Sequence, residues 1–313
     1  MQDLLKRYLD YLRAERGFSP YTVRNYTTDL LGNKSGVYPM GFFQYLQQKN
    51  VKSVKDVNRH ILREYIGYLM EQNISRRSIS RKVSAVRSFY RYLLREGYIE
   101  ENPVKLTTSP KLDRRLPECL SKEELDRLLS APSQDTAQGI RDRAILEIIY
   151  ASGMRISEIV SLNLGQVNLD TGEIKVLGKG SKERMVLIGN MAITSLKKYL
   201  EAGRPRLVCL KGDRFALFIN RFGKRLSQRS IQNMLERTAL KAGIDKHVYP
   251  HLLRHTFATH MLDGGADLRV VQELLGHASL GTTQVYTHVT QAQAKKVYLA
   301  AHPMARKTET NAK

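Results

Sequence analysis

The stretch NPVKLTTSPKLDRRLP, residues 102–117, decides how this chain is partitioned. Pro103, Pro110 and Pro117 stand among small polar and charged residues, with no apolar repeat of period 2 or 3.6. Prolines withhold the backbone donors that a helix or strand interior needs, so the stretch is a linker. We place the linker at 107–116, between one unit spanning 1–106 and another spanning 117–313. Length agrees, since 313 residues suit two domains on a prior of roughly 100 to 200 residues each.

Upstream of the linker the apolar spacing is helical. Leu4, Leu5, Tyr8, Leu9 and Leu12 share one face, and Gly17 ends that run. Ser19 followed by Pro20 signals the next start, a cap before a first-turn proline. Further helical patterns cover roughly 40–48, 59–72 and 76–96, with Gly97 as the last stop, so this unit is expected to be all-α. Downstream, Ser121 and Glu124 form a capping box, and an apolar-periodic helix runs through Ile140 to Tyr150 until Gly153 breaks it. Glu173–Leu177 and Arg184–Ile188 alternate like strands about GKGSK, which predicts a β-hairpin; Leu217–Asn220 is expected to add another strand. Helices are expected over 190–203, 227–242, 251–263, 267–275 and 282–300, with a polar, mobile tail after Met304. The fold class expected is mainly α with a small β-sheet in the C-terminal domain, an α+β chain.

Charge narrows the function. Lys and Arg number 51 against 30 Asp and Glu, a net charge of +21. The excess is not a tail, because 1–115 holds 22 basic and 11 acidic residues and 116–313 holds 29 and 19. Such a field draws polyanions, nucleic acid or an anionic membrane. No apolar run approaches the roughly 20 residues of a spanning helix, and MQDLLKRYLDYLRAERG at the N-terminus has no signal-peptide core. A cytoplasmic protein without membrane insertion is expected. Cys119 and Cys209 are far apart and outside any ligand spacing, so neither a disulfide framework nor a zinc knuckle is indicated. The helix over 76–96 concentrates cations: Arg76, Arg77, Arg81, Lys82, Arg87, Arg91 and Arg95 against Glu96 alone. We read it as a DNA-facing helix whose Arg76, Arg77, Arg81, Lys82 and Arg87 contact phosphates.

Four clusters in the second half carry chemistry-bearing residues. Arg155 follows Gly153 and precedes Glu158 at i+3, a spacing that an ordinary helix ion pair also has. Lys179 sits in the glycine-rich turn GKGSKER; no GxxxxGK[ST] match exists, so a P-loop is excluded, but a turn lysine can reach a ligand at the tip. His251, His255 and His260 of HLLRHTFATH suggest a metal site, yet the motif is not HExxH and Arg254 would set a fixed cation beside the metal. His251 and Arg254, three apart, can instead donate to one anion, which is the chemistry of a phosphate site. Tyr286, one of 16 tyrosines, gains interest from LGHASLGTTQVYTH around it.

Taken together, Arg155 in SGMRISE, Lys179 in GKGSKER, His251 and Arg254 in HLLRH, His277 in LGH and Tyr286 in TTQVYTH resemble the six catalytic positions of the tyrosine site-specific recombinases, in their usual order. Within that family the chain is similar to the Xer type, over nearly its whole length. The resemblance implies a helical core-binding domain, a linker and a tyrosine-recombinase catalytic domain. It also implies roles: Tyr286 as nucleophile forming a 3′-phosphotyrosyl link, and Arg155 and Arg254 clamping the non-bridging oxygens. His251 and His277 would donate hydrogen bonds and manage protons, and Lys179 would act as general acid on the 5′-oxygen. Glu158 would orient Arg155, and His255 would support the site.

Two always-charged guanidiniums can stabilise the transition state without a metal, and the covalent link stores the bond energy, so no cofactor is expected. The partners implied are double-stranded DNA with a specific recombination site and a tetramer on that DNA, either of one chain or with a sister recombinase. A DNA translocase activator is a further implied partner. The helix near 291–300 and HPMA at 302–305 resemble the segment that family members dock on a neighbouring subunit, with Met304 where many relatives carry Arg. GNKSGVYPMG at 32–41 is longer than the family pattern leads one to expect. Resolution of chromosome dimers fits the Xer resemblance; a mobile-element integrase, a type IB topoisomerase and a non-catalytic DNA-binding factor are the alternatives.

Overall fold

The computed structural model describes residues 1–33, 39–105, 118–177, 183–276 and 291–305. The chain divides into two compact units, Met1–Arg115 and Leu116–Lys313. The linker predicted at 107–116, residues 34–38 of the 32–41 stretch and the tail from 306 lie outside the described residues.

The first unit is built from five helices, α1 (Gln2–Ala14), α2 (Pro20–Leu31), α3 (Phe42–Gln48), α4 (Arg59–Glu71) and α5 (Arg76–Arg95). Their starts follow cap chemistry: Ser19, Asn58 and Ser75 each accept from backbone N–H groups of the first turn, and Pro20 occupies the first turn of α2. Gly17 and Gly97 take positive φ where α1 and α5 have ended. The core is aromatic, with Tyr8, Phe42, Tyr65, Phe89 and Tyr90 fully buried. The pairs Tyr8–Phe89, Phe42–Tyr65 and Phe43–Phe89 meet edge to face at 5.2–5.3 Å between centroids. Two buried hydroxyls find carbonyls: Tyr65 donates to Met40 and Tyr90 to Val54.

The second unit begins with α6 (Lys122–Ser130), opened by the Ser121–Glu124 capping box, and α7 (Ala137–Ser152). α7 is buried on nearly every face and is the helix about which the unit packs. α8 (Ile156–Ser161) leads to a three-stranded antiparallel sheet of β1 (Val167–Asn168), β2 (Glu173–Leu177) and β3 (Glu183–Leu187). Ile174 pairs with Val186 and Val176 with Arg184 across the predicted hairpin. α9 (Asn190–Lys198), α10 (Gln228–Lys241), α11 (Pro250–Asp263), α12 (Leu268–Leu275) and α13 (Gln291–Ala301) complete it.

Two expectations change. The short β1 went unread because two residues carry no periodicity. Leu217–Asn220 forms no strand: its backbone is shared between Leu162, Phe218–Leu226 and Lys224 contacts, leaving only isolated bridges at Asn163–Ala216 and Ile219–Arg225. The C-terminal segment packs in the single chain against its own unit. His302 is buried against Tyr150, Phe257 and Tyr298, and Asn190 N donates to Ala305 O at 3.2 Å. Met304 and Ala305 are buried as well.

Candidate active site

A left-handed glycine sets the position of the first arginine. α7 ends on Gly153 at φ 58°, ψ 21°. A Cβ there would stand 2.6 Å from Phe257 and 2.7 Å from Leu275, so space and conformation both require glycine. The reversed chain then places Arg155 as the residue that caps α8, its backbone N–H donating to Glu158 Oε2 at 2.8 Å and its Nη1 to Glu158 Oε1 at 3.1 Å. What the sequence offered as an i, i+3 pair is therefore a capping contact that also aims the side chain. Arg155 Nη2 lies 3.4 Å from the Gly276 carbonyl, and the side chain remains 39% exposed, open to a ligand.

α11 supplies the second arginine. Pro250 opens the helix, His251 faces solvent in its first turn, and Arg254 is buried one turn later. Arg254 Nη1 donates to Gly153 O at 2.5 Å and Nη2 to Leu275 O at 2.7 Å. The same turn that delivers Arg155 thus anchors Arg254, and the last residues of α12 hold both guanidiniums. Burial, reinforced by the nearby Arg155 charge, pulls the Arg254 guanidinium down to about 10, a sign of how little solvation it keeps.

Glu158 joins the arrangement to the sheet. Arg184 of β3 grips its carboxylate with both ends of the fork, Nη1 to Oε1 at 2.8 Å and Nη2 to Oε2 at 3.0 Å. Burial pushes the Glu158 carboxyl up, but the bonds from Arg184 and from the Arg155 N–H, with both positive charges, outweigh it and hold it below the ordinary value. Two guanidiniums, Arg155 and Arg184, therefore bond one carboxylate, with the Arg254 charge nearby. The uncompensated positive charge beside an exposed Arg155 suits an anion, and two planar forks from different elements can hold two oxygens of a phosphodiester.

The structure brings Arg155, Glu158 and Arg254 together and puts His251 and His255 on the Arg254 helix. Lys179, His277 and Tyr286 lie outside the described residues; β2 and β3 flank the first, and α12 ends immediately before the second. His260, the third histidine of the HLLRHTFATH run, is a core residue with Nδ1 3.0 Å from the Tyr150 hydroxyl. Among the described residues no three His, Cys, Asp or Glu side chains gather closely enough to hold a metal ion.

The cationic face of α5 needs correction. Arg76 and Arg77 are exposed and Arg87 is half-buried. Lys82 is instead buried, Nζ 3.4 Å from the fully buried Asp29 of α2, which also takes a hydrogen bond from Arg81. A buried carboxylate retains cations that would otherwise face phosphate, so Lys82 is withdrawn from the contact surface and Arg81 is partly engaged. Burial raises Asp29 and lowers Lys82, with each partner's charge opposing the change.

Sequence reading missed Asp29 and Arg184. Arg184 did leave a signal: strand alternation places it on the face of the buried Val186, an inward cation that demands a carboxylate.

A family model described as the phage integrase family matches residues 118–293, and one described as its N-terminal SAM-like domain matches residues 5–97. The chain belongs to the phage integrase family of tyrosine recombinases. This recombinase is 43% identical over 307 residues to tyrosine recombinase XerC of Pelotomaculum thermopropionicum, covering 96% of this chain and 98% of the relative. To tyrosine recombinase XerD of Staphylococcus aureus it is 40% identical over 305 residues, covering 97% and 100%. Among solved structures it is similar to the XerH site-specific recombinase bound to palindromic difH substrate in a post-cleavage complex. That match has a TM-score of 0.68 and 25% identity, over 96% of this chain and 85% of the other. No helix among the described residues is long and apolar enough to cross a membrane.

Proposed function

We propose that this recombinase cuts and rejoins both partners of a specific duplex DNA site through a 3′-phosphotyrosyl link to Tyr286. The observation that carries the reading is the convergence of Arg155 and Arg254 on one turn, both pinned by the residues that precede His277. In the first step the Tyr286 oxygen attacks the scissile phosphorus, its proton passing to His251 or His277. Arg155 and Arg254 hold the non-bridging oxygens as their charge grows, and Lys179 gives a proton to the departing 5′-oxygen. The reverse step, with a 5′-hydroxyl from a partner strand, rejoins the DNA, and no further bond energy is needed. His255 supports the two catalytic residues on its helix. Arg76, Arg77 and Arg87 of α5 contact phosphates and place the N-terminal unit on the duplex.

The XerC and XerD names of the relatives fit a role in resolving chromosome dimers at segregation. In this reading the chain works in the cytoplasm as part of a tetramer on DNA. The tetramer is formed by this chain alone or with a sister recombinase, and a DNA translocase activates it. The test is a supercoiled plasmid with two directly repeated copies of a site recovered by affinity selection. Excised circles are the expected product; relaxation without recombinants on any selected site would replace recombinase with topoisomerase.

A further inference from the structure

The mechanism above leaves one charged residue of the site without a role. Arg184 is the second residue of β3, which follows Lys179 in the chain. Its side chain is 18% exposed and reaches the 7% exposed Glu158 in a two-point, parallel contact that only a planar fork makes. The same carboxylate holds Arg155 by both backbone and side chain. On its other edge Arg184 packs on the end of α12, where a Cβ added to Gly276 would meet its Nε at 2.8 Å. Gly276 in turn takes the positive φ of 64° that ends α12 immediately before His277. One guanidinium therefore touches the contacts of three site-bearing segments.

We propose that Arg184 is a positioning residue for DNA cleavage, acting through Glu158 on Arg155. Both oxygens of Glu158 accept from Arg184 while both also accept from Arg155, so the carboxylate is fixed in plane and rotation. That fixes the direction in which Arg155 extends toward a phosphate. Without Arg184 the carboxylate keeps one partner and can turn, and Arg155 follows it. A lysine at 184 restores the charge but not the plane, because a single ammonium cannot span both oxygens along parallel bonds. The inference rests on the proposed reading of Arg155 as a phosphate clamp.

The test is single-turnover formation of the covalent adduct on a nicked duplex, by the full chain and its Arg184→Gln, Arg184→Lys and Arg155→Lys variants, with Arg184→Gln also placed in the Arg155→Lys background. Roughly 10- to 100-fold slower cleavage is expected for both Arg184 variants, with DNA affinity within about 2-fold of the parent. In the Arg155→Lys background, Arg184→Gln is expected to slow cleavage by less than about 2-fold, since residues acting as one unit are not additive. The same factor in both backgrounds, recovery by lysine, or no loss in Arg184→Gln would overturn the inference while leaving Arg155 as clamp. Unchanged cleavage by Arg155→Lys alone would instead overturn the clamp reading beneath it. Should Arg184→Gln unfold with Glu158 left to Arg155 alone, the Glu158→Gln/Arg184→Gln pair removes the buried charge and answers the same comparison.

Discussion

Arg254 commits two donors to the carbonyls of Gly153 and Leu275 before any ligand arrives, so its remaining fork is already aimed. A charge held in place contributes to the transition state without reorganising, and removing one such donor costs about 10²- to 10³-fold in rate. Arg254→Ala is therefore expected to slow adduct formation by at least about 100-fold while DNA affinity changes far less. Cleavage gels and binding titrations on one duplex check this, and equal losses in both would assign Arg254 to binding alone. Gly153 is the matching backbone prediction. Gly153→Ala forces a Cβ into Phe257 and Leu275 at a positive φ, and should cost about 1–3 kcal/mol in a urea melt. At this scale the sequence was highly legible for residues that sit in motifs. Arg155 and Glu158 meet at the i, i+3 spacing that the sequence displays, and only the family resemblance set Arg254 beside them, whereas Arg184 and Asp29 have no motif. Their importance comes from partners 26 and 52 residues away, which no local pattern encodes.

Among the elements, α5 shows where periodicity stops being informative. Apolar spacing located the helix, and Ser75 and Gly97 bounded it, but the cations were read as one surface when two of them serve Asp29. A lysine stem is compatible with either burial or exposure, and only the neighbouring helix decides. The two kinds of cation are separable. Arg77→Ala should reduce the slope of log affinity against log salt by about one, leaving the melting transition unchanged. Lys82→Met should leave the slope alone and destabilise the N-terminal unit by about 1–3 kcal/mol, because Asp29 stays buried with less compensation. Identical slopes for parent and Arg77→Ala would remove α5 from the DNA surface. The hairpin was legible for a different reason: β2 and β3 pair along the alternation that the sequence displays, whereas the buried run at 217–220 meets its partners through turns.

For the whole molecule, the division into two units follows the proline-rich stretch, and composition assigned a polyanion as partner before any residue was singled out. What composition could not show is how the C-terminal segment is held. His302 sits among Tyr150, Phe257 and Tyr298, and Met304 N donates to its Nδ1, an arrangement that needs neutral imidazole. Burial lowers it to about 4, and burial also lowers His260, which faces Tyr150 from α11. A folded-state value below the ordinary 6.5 means the unfolded chain binds the proton more readily. Stability is accordingly full above about 6.5 and declines as pH falls toward about 4. Urea midpoints should fall over that window in the parent and fall less in His302→Asn, which keeps an acceptor for Met304 N; parallel curves would detach His302 from the acid response.

In the proposed reaction one tyrosine, Tyr286, carries the cut strand. Denaturing gels of 3′-labelled and 5′-labelled nicked duplexes, run with chelator present, test it on the parent and on Tyr286→Phe. A protein-linked species is expected on the strand that keeps the scissile 3′-phosphate, persisting in chelator and absent from Tyr286→Phe. An adduct of undiminished yield in Tyr286→Phe, or recombinant products formed with no adduct in the parent, would contradict it.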